Sequence, residues 1–371
     1  MVFKNVPFGI VICGQPNAPV RNISIRHLTI LHESTSGGFS AALFIARAQD
    51  IVLDGLHIDE PCAIGLLASH GAERVAMTDC SIREARQDGM LLLRRVVDFS
   101  AESCIISDNR QSGLLLCDWP LPAGLDPLDF DAQLRHRATH AIAFEPGDPA
   151  PCRIFLSECT LSRNRKMGIC TDGAGYLTVD RCQLHDNQCE GITLDNGTWH
   201  ARISGCEITG NGHRGQQTES ELREDFVAGD ARLPDGSSSV KLPGISMDNA
   251  AYCRVEDCSI HDNYGEGVKF VRAAYRCSVQ GNEIENNNRG HSPGHLHHGI
   301  RIGSDPSQHK GQHDFPSSGN NILDNRITGG HECGILLNEG TALNRIKHNT
   351  ISGQNSLPIH PWSRFANRIR P

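Results

Sequence analysis

The sequence predicts an all-β fold, a parallel β-helix (solenoid) of about ten to eleven coils with one repeat unit per coil. Three observations carry this. A ladder of cysteines, each two places before an apolar residue, recurs at near-constant spacing. A ladder of glycines, each followed by an apolar residue, runs in step with it. Between them lie segments rich in Asp and Asn, the residues of tight turns.

The cysteine ladder is Cys80/Ile82, Cys104/Ile106, Cys159/Leu161, Cys182/Leu184, Cys206/Ile208 and Cys258/Ile260. Its spacings are 24 from Cys80 to Cys104, 23 from Cys159 to Cys182 and 24 from Cys182 to Cys206. Asparagine then takes the place, at Asn282, Asn325 and Asn349. The glycine ladder is Gly65, Gly89, Gly113, Gly168, Gly191, Gly244, Gly267, Gly299 and Gly334. Each unit of 22–25 residues reads as short strand, turn, short strand, turn, Gly-led strand. Alternation as in "ITL" has period two, and helical heptads and the leucine-rich consensus are both missing. Stacking at ~4.8 Å per coil makes a rod of roughly 50 Å, with like residues above one another in its interior.

Composition narrows the partners. Lys and Arg number 35 against 43 Asp and Glu, with no basic block, which argues against nucleic acid and anionic membranes. No apolar run reaches the ~18 residues of a membrane span. Residues 1–20 carry no signal-peptide pattern. Fifteen cysteines without CxxC pairs read as buried, reduced thiols. The expected compartment is therefore the cytoplasm as written, or an exported location if an N-terminal segment has been removed. Composition says nothing of the oligomeric state.

One solenoid is expected over residues 1–371. Residues 1–20 make a short start, in which "GIVIC" (9–13) is already Gly-led. The stretch 356–371, with Pro358, Pro361 and Trp362, is suited to cap the last coil. Insertions at 118–150, 213–243, 287–298 and 304–318 all flank Gly-led strands, so they would wall a groove on that sheet.

In a Gly-led strand the residue after glycine points inward, and those two and four places after it point out. On successive coils the outward pairs are Cys170/Asp172, Thr193/Asp195, Ser246/Asp248, Lys269/Val271, Arg301/Gly303 and Leu336/Asn338. Three aspartates, roughly 5 Å apart from coil to coil, are followed by two cations. Carboxylates so placed cannot all ionise cheaply: one holds a proton, or a cation such as Ca²⁺ sits among Asp172, Asp195 and Asp248. The first outcome supplies an acid/base pair. In the second, Ca²⁺ would neutralise a uronic acid, and Lys269 or Arg301 would assist proton removal. A plain reading also exists, an Asp ladder that caps turns.

Eight places after glycine stand Tyr176, Trp199, Tyr252 and Tyr275, either a structural stack or flat faces for sugars. Histidines gather at His291, His295, His297 and His298, with His309 and His313 beyond. Their spacing matches no particular metal site, and His297 or His298 beside Arg301 is a candidate general acid or substrate contact.

The whole pattern, over roughly residues 20–355, resembles the right-handed parallel β-helix superfamily. That group includes pectate lyases, polygalacturonases and mannuronan C5-epimerases, besides phage tailspikes and non-catalytic repeat domains. "CTDG" (170–173) is similar to the polygalacturonase N-T-D-G motif, which implies Asp172 as acid and Asp195 as its partner. That family pairs two aspartates next, where this chain has Asp195 and Asn196. "HHGIRIG" (297–303) only echoes the G-H-G and R-I-K motifs, and the epimerase D-P-H-[DE] is missing. The mixed acidic and basic strip is similar in kind to a pectate lyase site. The resemblance implies a groove for an extended carbohydrate, with lyase or epimerase chemistry on a uronide slightly preferred. Glycoside hydrolysis and a non-catalytic glycan- or protein-binding module are the alternatives.

Overall fold

A computed structural model of the chain describes residues 1–4, 6–15, 17–33, 40–117, 150–213, 242–289, 298–303, 317–338, 341–361 and 368–369. Among these there is no helix, hence none long and apolar enough to cross a membrane. The strands fall into two sheets, of 12 and 22 strands. The smaller collects the Gly-led strands, from Phe8–Cys13 through Ile169–Asp172 and Ile192–Asp195 to Ile359–Pro361. The larger takes the remaining strands of each coil, such as Gly175–Asp180 and Gln183–His185. Pairing is parallel and steps one coil at a time: Leu114 with Ile169, Ile169 with Ile192, Ile192 with Ile245. Register therefore survives the two longest insertions, whose residues lie almost wholly outside the described ones.

The inward positions are fully buried, and on most Gly-led strands the outward ones are buried too, as Cys170, Thr193 and Ser246 are. Ile169, Ile192, Ile245, Val268, Ile300 and Ile335, each directly after its glycine, are fully buried. Glycine is needed ahead of them because the bend leaves no room: a Cβ on Gly191 would lie 2.9 Å from the Gly244 carbonyl oxygen. The cysteine ladder is buried and wholly thiol. Its S–H groups rest on the carbonyl two residues back, as Cys182 does on Asp180 at 3.4 Å. At the chain's far end asparagine continues the column, with Asn282 Nδ2 donating to Asn325 Oδ1 at 2.9 Å and Asn325 Nδ2 to Asn349 Oδ1 at 2.9 Å.

A second ladder lies where the sequence suggested only turns. Asn109, Asn164, Asn187, Asn211, Asn263 and Asn287 are buried, each but the last donating Nδ2–H to the next Oδ1 at 2.8–3.0 Å. Such a ladder satisfies buried amides only when every rung is present. The aspartates that precede three of the rungs, Asn109, Asn187 and Asn263, have a different task. Asp186 and Asp262 take left-handed backbone angles, φ 57° and 55°, at the bend itself.

The Gly-led sheet has 12 strands among the described residues, more than the ladders predict. The added coils are terminal. Val2–Lys4 pairs with Leu31–Glu33 and Phe8–Cys13 with Ala41–Ala46, so residues 1–20 build a coil. Ile359–Pro361 pairs with Ile335–Leu337 and Arg368–Ile369 with Arg345–Ile346, so the described residues of the C-terminal stretch extend both sheets. Pro358 still serves the ladder through its carbonyl, which accepts Ile335 N–H at 3.0 Å. A proline on the edge strand costs no further hydrogen bond. Trp362 lies outside the described residues.

Candidate functional site

The outer face of the Gly-led sheet changes character along the rod. Over the early coils its outward residues are apolar: Phe44, Leu67, Leu91, Leu93 and Cys117 form a second buried cluster. The change comes at one pairing, Cys117 beside Asp172. From Asp172 to Arg301 the strip is mainly polar, and the predicted columns stand in register. Asp172 pairs with Asp195, Thr193 with Ser246, Ser246 with Lys269, and Lys269 with Arg301.

Asp195 occupies the middle of this strip. Its backbone is pinned from both sides: its N–H donates to Thr171 Oγ1 at 3.2 Å, and Thr198 Oγ1 donates to its carbonyl at 2.6 Å. Thr171 and Thr198 are themselves fully buried, 2.7 Å apart. The carboxyl is largely shielded, and its Oδ1 is buried with no hydrogen-bond partner. Burial first, then the charges of Asp248, Glu190 and Asp172, push its pKa up to about 8. Its carboxyl therefore keeps its proton at neutral pH.

Its neighbours are differently held. Asp172 accepts a hydrogen bond from Asn196 Nδ2 on the next coil at 2.7 Å. Asp248, little exposed, is gripped by Arg272 through Nε at 3.0 and 3.1 Å and Nη2 at 2.6 Å. Sequence reading missed Arg272, which follows the strand and reaches back one coil. It also missed Glu190 and Glu266, the residues just before Gly191 and Gly267, although "CEG" and "GEG" mark them.

Glu266 changes the role open to Arg301. Arg301 Nη1 lies 3.4 Å from Glu266 Oε1, and both side chains are nearly buried. A paired guanidinium neutralises charge and does not serve as a base. Lys269 stands beside it, half-buried. His298 is buried, and its Nδ1 accepts the Cys333 N–H at 3.3 Å. His297, His291, His295, His309 and His313 lie outside the described residues, as do nearly all residues of the four insertions.

The carboxylates fit a metal poorly. Among the described residues no three His, Cys, Asp or Glu side chains converge to hold an ion. At Asp248 the positive charge that Ca²⁺ would bring is already supplied by Arg272.

The aromatic residues do not form one column. Trp199 bridges to Gly175 and Ala251, and Ala251 to Tyr275, because turn length alternates between coils. Tyr176 and Tyr252 therefore share a column with His200, whose ring is stacked on both at 5.1 and 5.2 Å. Trp199 meets Tyr176 edge-on at 4.6 Å, Tyr275 meets Tyr252 at 6.0 Å, and Arg276 covers Tyr275 at 5.0 Å. All four predicted aromatic residues are exposed. Tyr176 and Trp199 also line a hollow of about 530 Å³ with Cys152, Arg153, Phe155 and Thr178.

Comparison with known proteins gives a consistent picture. The family described as "Right handed beta helix region" matches residues 134–222 and 237–370. The A-module of mannuronan C-5 epimerase AlgE4 from Azotobacter vinelandii superposes with TM-score 0.59 at 13% identity, over 100% of this chain and 89% of that one. A periplasmic alginate epimerase, AlgG, gives TM-score 0.54 at 11% identity, over 94% of this chain and 70% of that one. At such identities the likeness is one of fold. The pre-neck appendage protein of Bacillus phage B103 is 36% identical over 61 residues, which is 15% of this chain and 7% of that protein.

Proposed function

The chain belongs to the right-handed β-helix family, and we propose that its polar strip is the active groove of an enzyme acting on an acidic polysaccharide. The observation that carries this reading is Asp195, a shielded carboxyl with pKa near 8 between two other aspartates. A solenoid has no structural need of such a group. An acid that holds its proton to neutral pH and can then release it is what glycan cleavage or epimerisation requires.

In this reading the sugar chain lies along the rod. Its carboxylate meets Lys269 and the Arg301–Glu266 pair, which lower the cost of charge beside the reacting carbon. A base on the strip, Asp248, takes the proton next to that carboxylate. Asp195 then donates its own proton. Delivered to the departing glycosidic oxygen it completes an elimination, and delivered to the carbon it completes an epimerisation.

One observation favours a second reading, glycoside hydrolysis. Asp172 and Asp195 are direct partners on adjacent coils. The coil rise of ~4.8 Å is near the ~5–5.5 Å carboxyl separation of retaining glycosidases.

The test is a panel of polyuronides and neutral glycans with wild type and Asp195→Asn. An unsaturated, ultraviolet-absorbing product marks elimination, and new reducing ends without it mark hydrolysis. Altered uronate stereochemistry without cleavage marks epimerisation. Glycan binding with no turnover by wild type overturns the enzyme reading in favour of a binding module.

A further inference from the structure

A second reactive constellation lies three coils from Asp172, roughly 14 Å along the rod. It is built from His32, Ser40 and Cys62, and the aspartate strip does not use it. His32 is fully buried, and its Nε2 is 2.9 Å from the Val6 carbonyl oxygen. A carbonyl can only accept, so Nε2 carries the ring proton and Nδ1 presents a lone pair. Nδ1 faces Cys62 Sγ at 3.2 Å. Ser40 Oγ is also 3.2 Å from that sulfur. With the thiol proton directed at Nδ1, the Ser40 hydroxyl donates to sulfur and stabilises negative charge there.

This differs from the cysteine ladder. Cys80, Cys104, Cys159 and Cys182 are buried with S–H resting on a carbonyl, an arrangement with no base to accept the proton. Cys62 is partly exposed and has a base, and that base is oriented by a third group, Val6. Burial draws the His32 pKa down, but the hydrogen bonds from Cys62 and to Val6 outweigh it and leave His32 above its ordinary value. Among the described residues the adjoining turns carry Glu60 and, on the next coil, Glu84, Asp88 and Arg86, whose N–H donates to the Pro61 carbonyl at 3.2 Å, and Glu33 follows His32 in the chain; Asp88 is buried, while Glu60, Glu84 and Arg86 are exposed.

We propose that Cys62 is an activated thiol with His32 as its base, and that it is a covalent modification site for small soft electrophiles. With iodoacetamide as the probe, a bond forms between Sγ and carbon while the carbon–iodine bond breaks. Iodide leaves, and the thiol proton passes to His32 Nδ1. The resulting imidazolium keeps its Nε2–H on Val6.

The test is limited alkylation of the whole chain, with each cysteine quantified by peptide mass spectrometry between pH 5 and 10. Cys13 and Cys152, the other partly exposed thiols, serve as references in the same tube. Cys62 is expected to react roughly five- to tenfold faster than either at pH 7, with an inflection below the ordinary thiol range of about 8.5. His32→Gln should return the inflection to that range while Cys159 and Cys182 stay protected, which reports intact coils. If the variant unfolds and the ladder thiols react, the wild-type inflection decides alone. An ordinary inflection for Cys62, or one unmoved in an intact His32→Gln chain, overturns the proposal.

Discussion

Arg272 reaches back one coil and clasps Asp248 through Nε and Nη2 at 2.6–3.1 Å, while Asp195 on the preceding coil keeps a buried Oδ1 without a hydrogen-bond partner. The strip thus divides its acidic residues into two kinds. One is neutralised by an arginine, and the other is neutralised by its own proton. Division of this kind between neighbouring carboxyls is how acid and base roles separate. Asn196 contributes to it, since an amide donating to Asp172 adds no further negative charge beside Asp195.

Replacement of Asp195 by Asn should lower turnover about 10²–10⁴-fold, the usual worth of a positioned proton donor. Glycan affinity, measured by calorimetry, should change only a few-fold. Wild-type kcat should fall as pH rises through about 8, where Asp195 loses its proton. A basic limb unchanged in residual Asp195→Asn activity would assign that limb to another group.

Stability should carry the same signature. Asp88 and Asp195 have pKa values raised to about 6 and about 8, burial being the first cause of each. The folded chain holds these protons more tightly than the unfolded one. Their contribution is thus complete below the unfolded carboxylate range and is lost as pH rises through about 6 and then about 8. Asp195→Asn removes the second loss, so its Tm advantage over wild type should grow between pH 5 and pH 9. An advantage that is flat with pH would contradict the assignment.

Chelation should leave turnover unchanged, because Arg272 already neutralises Asp248. The measurement is initial rate after dialysis against EDTA, with and without added Ca²⁺. A rate restored only by Ca²⁺ would show that ligand binding rearranges the strip.

In the asparagine ladder, Asn187→Ala should cost at least about 2 kcal/mol in urea unfolding. It strands the Asn164 N–H and Nδ2–H donors, which both bond to Asn187 Oδ1 in the intact coil. Asn187→Asp should not rescue it, since an isosteric carboxylate buries a charge and lacks the donor to Asn211. Full stability in either variant would mean that the coils tolerate a broken rung.

Among the aromatic residues, Trp199→Ala and Tyr252→Leu distinguish stack from sugar platform. Both rings are exposed, so each change should cost about 1 kcal/mol or less in stability. A loss of glycan affinity beyond tenfold in a stably folded variant assigns the rings to binding. Unchanged affinity confines them to the stack.

Much of this was legible in the chain alone. A period of 22–25 residues, a glycine before each inward apolar residue, and cysteines two places before an apolar residue determine a parallel solenoid. They also determine that Asp172, Asp195 and Asp248 share one outward column, because stacked coils convert sequence period directly into neighbours. Tertiary structure alone decided the rest. It decided which aspartate keeps its proton, since shielding and the reach of Arg272 are not properties of a repeat. It split the aromatic residues into two columns, since a one-residue change in turn length shifts what lies above what. It also brought His32 to Cys62, 30 residues apart with no motif between them, because adjacent coils meet side by side wherever the chain closes a turn.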